Sequence, residues 1–337
     1  MNTKTKKVVI LTEGGEQIGF GHITRCLSLS RAFERAGWQT EFYVHGDQTV
    51  ASILPEQVYA LLDWSQVINT EQPPFFLKDA AIVIVDSYLA NDSVYEEISR
   101  QVKVPVYLDD TLRLDYPPGI VVNWSITAAE LPYPKRKDVS YLLGPTYISL
   151  REPFWQVSEQ PVSPTVKSVL LSFGGDDSKN MTPPVLDFLV CHYPELTKLV
   201  VIGNAFKNIT EIQSVKDHHT RIIFSPDGHG MKQVMQQSDI AIVSGGQTLY
   251  ELARIGVPAV VVAVADNQRH NVQGWEKTGF IENAGFWTDI PLMANLAQKF
   301  RELSAYERRL RATTSGHNLV SGLGVDKIVA FCQNMAA

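Results

Sequence analysis

The chain has 337 residues, of which 45% are hydrophobic and 20% charged, and its formal net charge at pH 7 is −6. This length suits two domains of roughly 150 residues each, and the composition is ordinary for a globular protein. The negative charge argues against a general nucleic-acid-binding protein, although backbone amides can still hold a nucleotide phosphate without any positive net charge.

The N-terminal segment carries lysines followed by a short apolar run at 8–11, which predicts a first β-strand. The run is too short for the apolar core of a signal peptide or for a membrane span. Three cysteines (Cys26, Cys191 and Cys332) lie far apart, without the paired spacing of a zinc site or a redox couple. We therefore expect a cytoplasmic protein in reducing surroundings, with no transmembrane segment and no metal.

Short β-branched apolar runs recur in two series and alternate with segments of helical period. The first series comprises VVIL (8–11), EFYVH (41–45), AAIVIVD (80–86), VPVYLDD (104–110) and GIVVNW (119–124). The second series comprises SVLLSFGG (168–175), KLVVIG (198–203), RIIFS (221–225), DIAIVSGG (239–246) and PAVVVAV (258–264). Continuous apolar runs are typical of strands covered by helices on both faces, and this alternation predicts parallel sheets in an α/β protein.

A polar stretch with two prolines, 157–167, separates the two series and is predicted to be a linker. We therefore expect one Rossmann-like domain over 1–158 and a second over 167–320. Apolar residues at helical spacing predict a closing helix within 321–337. In a protein of this kind the expected site is the cleft between the two parallel sheets.

The stretch IGFGHITR places Gly19, Gly21 and His22 between the first strand and a predicted helix. Its spacing matches neither the dinucleotide fingerprint nor a Walker loop, which argues against an NAD enzyme or a P-loop ATPase. At a helix start the positive end of the dipole disfavours an imidazolium, so a neutral His22 there could act as a general base. The alternative is a histidine that only caps or packs the helix.

The loop SFGGDD follows the first strand of the second series. Gly174 and Gly175 would let a phosphate or a ribose approach the backbone, and Asp176 and Asp177 could accept from sugar hydroxyls. The alternative is a turn with two solvated aspartates.

The loop SGGQT lies between a strand and a helix and carries small and hydroxyl residues. Ser244, Gly245, Gly246 and Thr248 would surround a helix N-terminus, whose amides suit a diphosphate without any lysine. Glu251 could bind both hydroxyls of a ribose, or it could form a capping box with Thr248.

Two further strand ends carry polar residues that could reach a ligand. Asn267 and Gln268 follow the strand at 258–264 and suit sugar hydroxyls, whereas Tyr88 follows the strand at 80–86. Asp109 and Asp110 are adjacent on one strand and point to opposite faces, so we expect only one of them to face the cleft.

Several motifs occur together in a known order: IGFGHITRCLSLSRAF, IVDSY, LDD, VVNWS, GPTYISLREPFW, SFGGDD, VSGGQTLYELARIGVPAVVV and NQ. In this combination the chain resembles the UDP-sugar hydrolases of pseudaminic acid biosynthesis and the related spore-coat polysaccharide proteins. These are similar to the two-domain GT-B glycosyltransferases, which include the undecaprenyl-N-acetylglucosamine transferase of peptidoglycan synthesis. The matching motifs run from about residue 8 to about residue 285 and so cover most of the chain.

The resemblance implies a GT-B fold, no cofactor, and hydrolysis of UDP-2,4-diacetamido-2,4,6-trideoxy-β-L-altropyranose to UDP and the free sugar. It makes His22 the base that activates water. The resemblance also assigns the nucleotide to the second domain and the sugar or an acceptor largely to the first. The implied nucleotide-binding residues are Gly174, Gly175, Ser244, Gly246, Thr248 and Glu251, and the implied sugar-binding residues are Tyr88, Asn267 and Gln268. We add Gly245 of the same loop to the nucleotide-binding residues, and Glu13 and Gly21, which lie near His22 in the chain, to the sugar- or acceptor-binding residues.

The chain departs from the family pattern at two places in its first half. Where the family has Arg-x-Asp, this chain has Leu11, Thr12 and Glu13, and where the family has Asp-His-Tyr, Ser87 replaces the histidine. Three functions follow from these residues. The first is a nucleotide-sugar hydrolase of pseudaminic acid biosynthesis, serving polysaccharide formation or flagellin glycosylation. The second is a GT-B glycosyltransferase that uses the same base on a hydroxyl acceptor, and the third is a non-catalytic nucleotide-sugar-binding protein.

Overall fold

The structure is a computed structural model and describes residues 6–68 and 74–337. It contains two units: one runs from the start of the described chain to Glu152 and includes Leu323–Ala337, and the other is Pro153–Gly322. The predicted first domain begins at residue 1, so its first five positions lie outside the described residues.

The strands of the described residues are short, apolar and mostly buried. In the first unit they are β1 (Lys7–Gly14), β2 (Gln39–Gly46), β3 (Tyr59–Leu61), β4 (Ala80–Asp86), β5 (Val104–Leu108), β6 (Gly119–Asn123) and β7 (Val139–Leu143). In the second unit they are β8 (Ser168–Ser172), β9 (Thr197–Ile202), β10 (Thr220–Phe224), β11 (Ile240–Ser244), β12 (Ala259–Ala263) and β13 (Ile281–Phe286).

Helices follow most strands, as an α/β chain requires. They are α1 (Gly21–Arg35), α2 (Trp64–Ile68), α3 (Asp92–Gln101), α4 (Thr182–His192), α5 (Ile209–Val215), α6 (Gly228–Gln236), α7 (Thr248–Ile255), α8 (Asp266–Lys277), α9 (Leu292–Ser304), α10 (Tyr306–Leu319) and α11 (Gly324–Ala336). Short 3₁₀ helices occupy Gln48–Ser52, Phe75–Leu77, Ala128–Glu130, Pro145–Tyr147 and Glu152–Phe154.

The sheet of the first unit is parallel, in the order β3-β2-β1-β4-β5-β6-β7. Strand order reverses between β1 and β4, which are hydrogen-bonded neighbours. The apolar residues of both strands are buried because helices cover both faces of the sheet. The first unit therefore presents its topological switch point at the carboxyl ends of β1 and β4, where ligands bind in open α/β sheets.

The sheet of the second unit is also parallel, in the order β10-β9-β8-β11-β12-β13. Its order reverses between β8 and β11, and its core is built from their buried side chains and those of α4 and α9. The second unit therefore has its own switch point, at the loops that leave β8 and β11.

Residues 153–158, which the sequence assigned to the first domain, group with the second unit. Phe154 and Trp155 are buried, and their backbone carbonyls accept hydrogen bonds from Arg254 at 3.1 and 3.2 Å. The predicted linker is also held here, because the buried Arg309 donates to the carbonyl of Ser163 at 2.6 Å. The last helix groups with the first unit, where α11 contacts α1, β4 and β5.

The predicted class, α/β with two Rossmann-like domains built on parallel sheets, is confirmed. All ten predicted apolar runs fall on strands, and β3, β7 and β13 are additional. Among the described residues, no helix combines the length and the hydropathy that crossing a bilayer requires.

Candidate active site

The predicted base lies at the switch point of the first sheet. Glu13 is the penultimate residue of β1, Asp86 is the last residue of β4, and His22 is the second residue of α1. Gly21 opens α1, and a Cβ placed on it would meet no atom within 4 Å. A ligand could therefore approach the backbone directly beside His22.

Asp86 holds the imidazole of His22. Nδ1 of His22 lies 2.8 Å from Oδ1 of Asp86, whose side chain is 1% exposed. Burial by itself raises the pKa of the Asp86 carboxyl, but the Arg25 guanidinium and the hydrogen bonds from Arg25 and His22 lower it to about 2. Asp86 is thus a carboxylate at neutral pH and can only accept. In neutral His22, Nδ1 therefore carries the hydrogen and Nε2 carries the lone pair.

Arg25 fixes Asp86 from the same face of α1. Its Nε donates to Oδ2 of Asp86 at 2.5 Å and its Nη2 donates to Oδ1, so Arg25 binds the carboxylate in a bidentate manner. Nη2 also lies 3.0 Å from Nδ1 of His22, and the Asp86 oxygen shared by these two donors offsets their repulsion. The guanidinium lies over Trp124, 5.6 Å from the ring centroid. Asp86 consequently has little freedom to move away from His22.

The two departures from the family pattern contact each other. The Ser87 hydroxyl donates to Oε2 of Glu13, and the backbone N–H groups of Tyr88 and Leu89 donate to Oε1 at 2.8 Å and to Oε2 at 3.3 Å. Glu13 is only 2% exposed, so these donors replace the water that a carboxylate otherwise binds. Its Oε1 faces Nε2 of His22 across 3.9 Å.

Tyr88 covers one side of the imidazole. The Tyr88 and His22 rings meet edge to face, with centroids 4.7 Å apart, and Tyr88 remains 51% exposed. Its hydroxyl donates to Oδ2 of Asp110, and burial together with this carboxylate raises the pKa of Tyr88. Nη1 of Arg25 lies 3.6 Å from the same oxygen. Tyr88 and Asp110 thus place two polar side chains beside His22.

Of the two adjacent aspartates, only Asp110 joins the His22 site. Asp109 is buried and accepts from the backbone N–H groups of Thr111, Leu112 and Arg113 and from the Tyr133 hydroxyl. It therefore shapes a loop, and the opposite orientation of neighbouring strand residues explains the difference.

In the second unit, the predicted glycines lie at the switch point of the sheet. Gly174 and Gly175 follow β8, and Gly174 has φ +83°, which favours glycine. A Cβ on either residue would meet no atom within 4 Å. Asp177 is not a solvated aspartate, because it is buried and accepts from the N–H groups of Met181 and Thr182 at 2.9 Å. Asp177 caps the start of α4, while both glycines face open space.

The second loop of this switch point leads from β11 into α7. Ser244 ends β11 and is buried, and Thr248 is the first residue of α7. The cap position of α7 is occupied by Gln247, whose side chain makes no capping hydrogen bond, so Thr248 does not occupy the cap position that a capping box with Glu251 requires. Glu251 is buried in the first turn. A Cβ on Gly246 would meet no atom within 4 Å, so the backbone is open there.

Gln268 links the two loops of this region. Its Oε1 accepts from the N–H groups of Gly245 at 3.1 Å and Val264 at 3.0 Å, and Asn271 donates to the carbonyl of Gly245 at 2.8 Å. A Cβ on Gly245 would clash with Val272, so close packing against α8 accounts for the presence of glycine at this position. Asn267 is exposed on the first turn of α8.

The structure adds Arg25 to the candidate site, a cation one turn after His22 that the sequence analysis did not single out. It also brings in Asp86, the polar end of the strand beside β1, and Asp110, one of the two aspartates of which only one was expected to face the cleft. No group of three or more His, Cys, Asp or Glu side chains suited to a metal ion occurs in the described part of the chain.

Comparison with known proteins finds relatives of low sequence identity and solved structures that share the fold of this chain. No protein-family model matches the chain. It is 23% identical over 345 residues to the spore coat polysaccharide biosynthesis protein SpsG of Bacillus subtilis, covering 97% of this chain and 98% of SpsG. It is 22% identical over 284 residues to the UDP-2,4-diacetamido-2,4,6-trideoxy-β-L-altropyranose hydrolase of Campylobacter jejuni, covering 81% of this chain and 97% of that enzyme. It is also 25% identical over 275 residues to the uncharacterized protein MJ1062 of Methanocaldococcus jannaschii, covering 78% of this chain but spanning only 57% of that protein's length.

Solved structures establish the fold. MurG of Acinetobacter baumannii superposes with a TM-score of 0.67 at 14% identity, covering 98% of this chain and 99% of MurG. The fold is that of the GT-B glycosyltransferases. Staphylococcus aureus MnaA, solved with UDP, superposes with a TM-score of 0.66 at 14% identity, covering 98% of each chain.

Proposed function

We propose that the protein is a nucleotide-sugar hydrolase that releases UDP and a free diacetamido-trideoxyhexose, with His22 as the general base. The observation that carries the proposal is the state of His22. Asp86 fixes its Nδ1–H, and its Nε2 makes no hydrogen bond within the described residues while the side chain stays 11% exposed. A histidine held by a carboxylate on one nitrogen and open on the other is suited to take a proton.

The relatives supply the substrate class. The Campylobacter jejuni relative is named for hydrolysis of a UDP-linked diacetamido sugar, and SpsG is named for polysaccharide biosynthesis. Since both relatives span most of this chain, we assign it the same class of substrate and place the enzyme in nonulosonic acid or polysaccharide formation.

In the proposed reaction His22 takes a proton from water at Nε2 while the water oxygen attacks the anomeric carbon of the sugar. The bond between that carbon and the phosphate oxygen breaks, and its electron pair leaves with UDP. Asp86 stabilises the imidazolium that forms, because its carboxylate accepts from Nδ1–H throughout. His22 then returns its proton to solvent.

The second unit is proposed to bind the nucleotide. Gly174, Gly175 and Gly246 leave backbone open at the switch point of that sheet, where a phosphate can approach amide groups. Ser244, Thr248 and Glu251 stay assigned to the nucleotide, and Asn267 and the amide nitrogen of Gln268 to the sugar. Because the N–H of Gly245 is already bonded to Gln268, we assign that glycine a supporting part.

The decisive experiment incubates the protein with UDP-2,4-diacetamido-2,4,6-trideoxy-β-L-altropyranose in ¹⁸O-labelled water without any acceptor. We expect UDP and free sugar in equal amounts, with the label in the sugar. His22→Ala should lower turnover by about 10²–10⁴-fold, the usual contribution of a general base. The matched control is His229→Ala, which removes an exposed histidine of α6 and should leave turnover unchanged.

Release of UDP only after a hydroxyl acceptor is added would overturn hydrolysis and establish the glycosyltransferase alternative. Binding of the nucleotide sugar without turnover under either condition would establish a non-catalytic binding protein. Full turnover by His22→Ala would show that another group is the base.

A further inference from the structure

Nε2 of His22 faces a second acceptor. Oε1 of Glu13 lies 3.9 Å from it, too far for a direct hydrogen bond. The hydrogen of neutral His22 is on Nδ1, so Nε2 and the carboxylate oxygen both present lone pairs. Two acceptors that face each other at this distance suit a donor placed between them.

The position of Glu13 is fixed by its surroundings. Its carboxylate accepts from the Ser87 hydroxyl and from the N–H groups of Tyr88 and Leu89, and the side chain is almost fully buried. Oε1 takes only one of these bonds, from Tyr88, and a carboxylate oxygen can accept two. One lone pair of Oε1 is therefore available on the side of His22.

The separation of the two acceptors matches the two hydrogens of one water molecule. A water oxygen placed about 2.8 Å from each acceptor would subtend an angle of about 90° between them, close to the angle between its own O–H bonds. An alcohol has a single O–H group, so it can satisfy Nε2 or Oε1 but not both. Its carbon would then face Oε1 of Glu13, which leaves the remaining lone pair of that oxygen without a donor.

We propose that Glu13 is a catalytic residue that holds the second hydrogen of the attacking water and thereby selects water over alcohols as the nucleophile. This inference rests on the proposed hydrolase function. One hydrogen of the water passes to Nε2 of His22, the other stays bonded to the new sugar hydroxyl and points to Oε1 of Glu13, and UDP leaves with the electron pair of the broken bond.

The test measures which nucleophile the enzyme uses. Each variant is given UDP-2,4-diacetamido-2,4,6-trideoxy-β-L-altropyranose in water containing a fixed concentration of methanol, and free sugar and methyl glycoside are quantified. The wild-type protein should give free sugar in excess of the molar share of water. Glu13→Gln should lower hydrolysis by about 10–100-fold, the worth of one charge-assisted hydrogen bond, and raise the proportion of methyl glycoside.

Two further variants separate a catalytic from a structural part. Glu13→Asp keeps a carboxylate and should retain the preference for water, even where turnover falls. Glu16→Gln makes the same chemical change on an exposed residue of the adjoining loop and should change neither turnover nor product ratio. Thermal unfolding and circular dichroism of every variant show whether the fold is intact, and Glu13→Asp carries the test if Glu13→Gln does not fold.

The outcomes distinguish this inference from the proposed function. If the wild-type protein hydrolyses the substrate but Glu13→Gln has an unchanged product ratio, Glu13 only supports the fold and the inference is overturned while the function stands. Loss of water preference in Glu13→Asp would also overturn it. If the wild-type protein releases no sugar without an acceptor, the proposed function fails and the inference fails with it.

Discussion

Replacing Asp86 by asparagine perturbs the contact on which the proposed chemistry depends. The carboxylate accepts from Nδ1 of His22 on one oxygen and from Nε of Arg25 on the other. An asparagine has one acceptor oxygen and one NH₂ group, so it cannot accept at both positions. If NH₂ faces His22, the ring hydrogen moves to Nε2 and the base is lost. If NH₂ faces Arg25, two donors oppose each other and the guanidinium is displaced.

The expected magnitude follows from the same contacts. Turnover should fall by about 10²–10⁴-fold, the range seen when a histidine base loses the carboxylate that sets its tautomer. The pKa of Asp86, lowered from 3.8 to about 2, corresponds to about 2 kcal/mol of stabilisation of its charged form. Leaving Arg25 without that charge inside the protein raises the loss in free energy of unfolding to about 2–4 kcal/mol.

The assay measures kcat and KM for the nucleotide sugar together with urea denaturation of Asp86→Asn and of Asp109→Asn. Asp109 is also a buried strand-end aspartate, but it contacts a loop and not His22, so its variant should lose stability and keep its kcat. A kcat for Asp86→Asn within about threefold of wild type, in a folded protein, would refute the assignment of His22 and Asp86 as a catalytic pair.

Three further predictions concern stability and nucleotide binding. The folded pKa of Asp86 lies below its unfolded value, so its contribution to the free energy of unfolding is present above pH 3.8 and is lost as the pH falls towards 2; urea denaturation of wild type and Asp86→Asn should converge over that interval. Gly246→Ala should leave the melting temperature nearly unchanged and weaken UDP binding in calorimetry. Gly245→Ala should lower the melting temperature, because of these two glycines only Gly245 has a neighbour with which a Cβ would clash. Equal UDP affinity in Gly246→Ala and wild type would contradict the nucleotide assignment. Lys198→Met should cost about 2–4 kcal/mol in urea denaturation, because the fully buried lysine is paired with Asp217 at 2.7 Å, and a double variant with Asp217→Asn should cost less than the sum of the single variants.

The sequence predicted the sheets well because their signal is local. The runs at 80–86 and 168–175 are continuous apolar segments, and such segments are buried on both faces when helices cover the sheet. The additional strands lack this signal: β7 is only partly buried, and β13 contains Glu282, Asn283 and Gly285. Their pairing with β6 and β12 stabilises them, which no short window of sequence shows.

The sequence points to the candidate site only where a single residue marks it. His22 stands out beside glycines, but its partner Asp86 lies 64 positions further along the chain, and only the parallel pairing of β1 with β4 brings the two together. Gly245 and Gly246 show the same limit in another form. The sequence predicts that both glycines leave backbone open to a ligand. In the structure Gly245 packs against α8 and its N–H is bonded to Gln268, whereas a Cβ on Gly246 would meet no neighbouring atom.

Glu13 and Ser87, one residue from each departure from the family pattern, are in direct contact and are therefore considered together. The Ser87 hydroxyl has a single hydrogen, which it donates to Glu13, and it accepts from the N–H groups of Leu89 and Ala90 at 3.0 Å. Ser87 therefore cannot act as a base in place of the missing histidine, and its part is to position a carboxylate. That carboxylate faces His22, whose own support by Asp86 and Arg25 does not involve either changed residue. The changes thus lie beside His22 and leave its support by Asp86 and Arg25 unaltered, which is why we expect the proposed chemistry at His22 to persist and the proposed nucleophile selection to depend on Glu13.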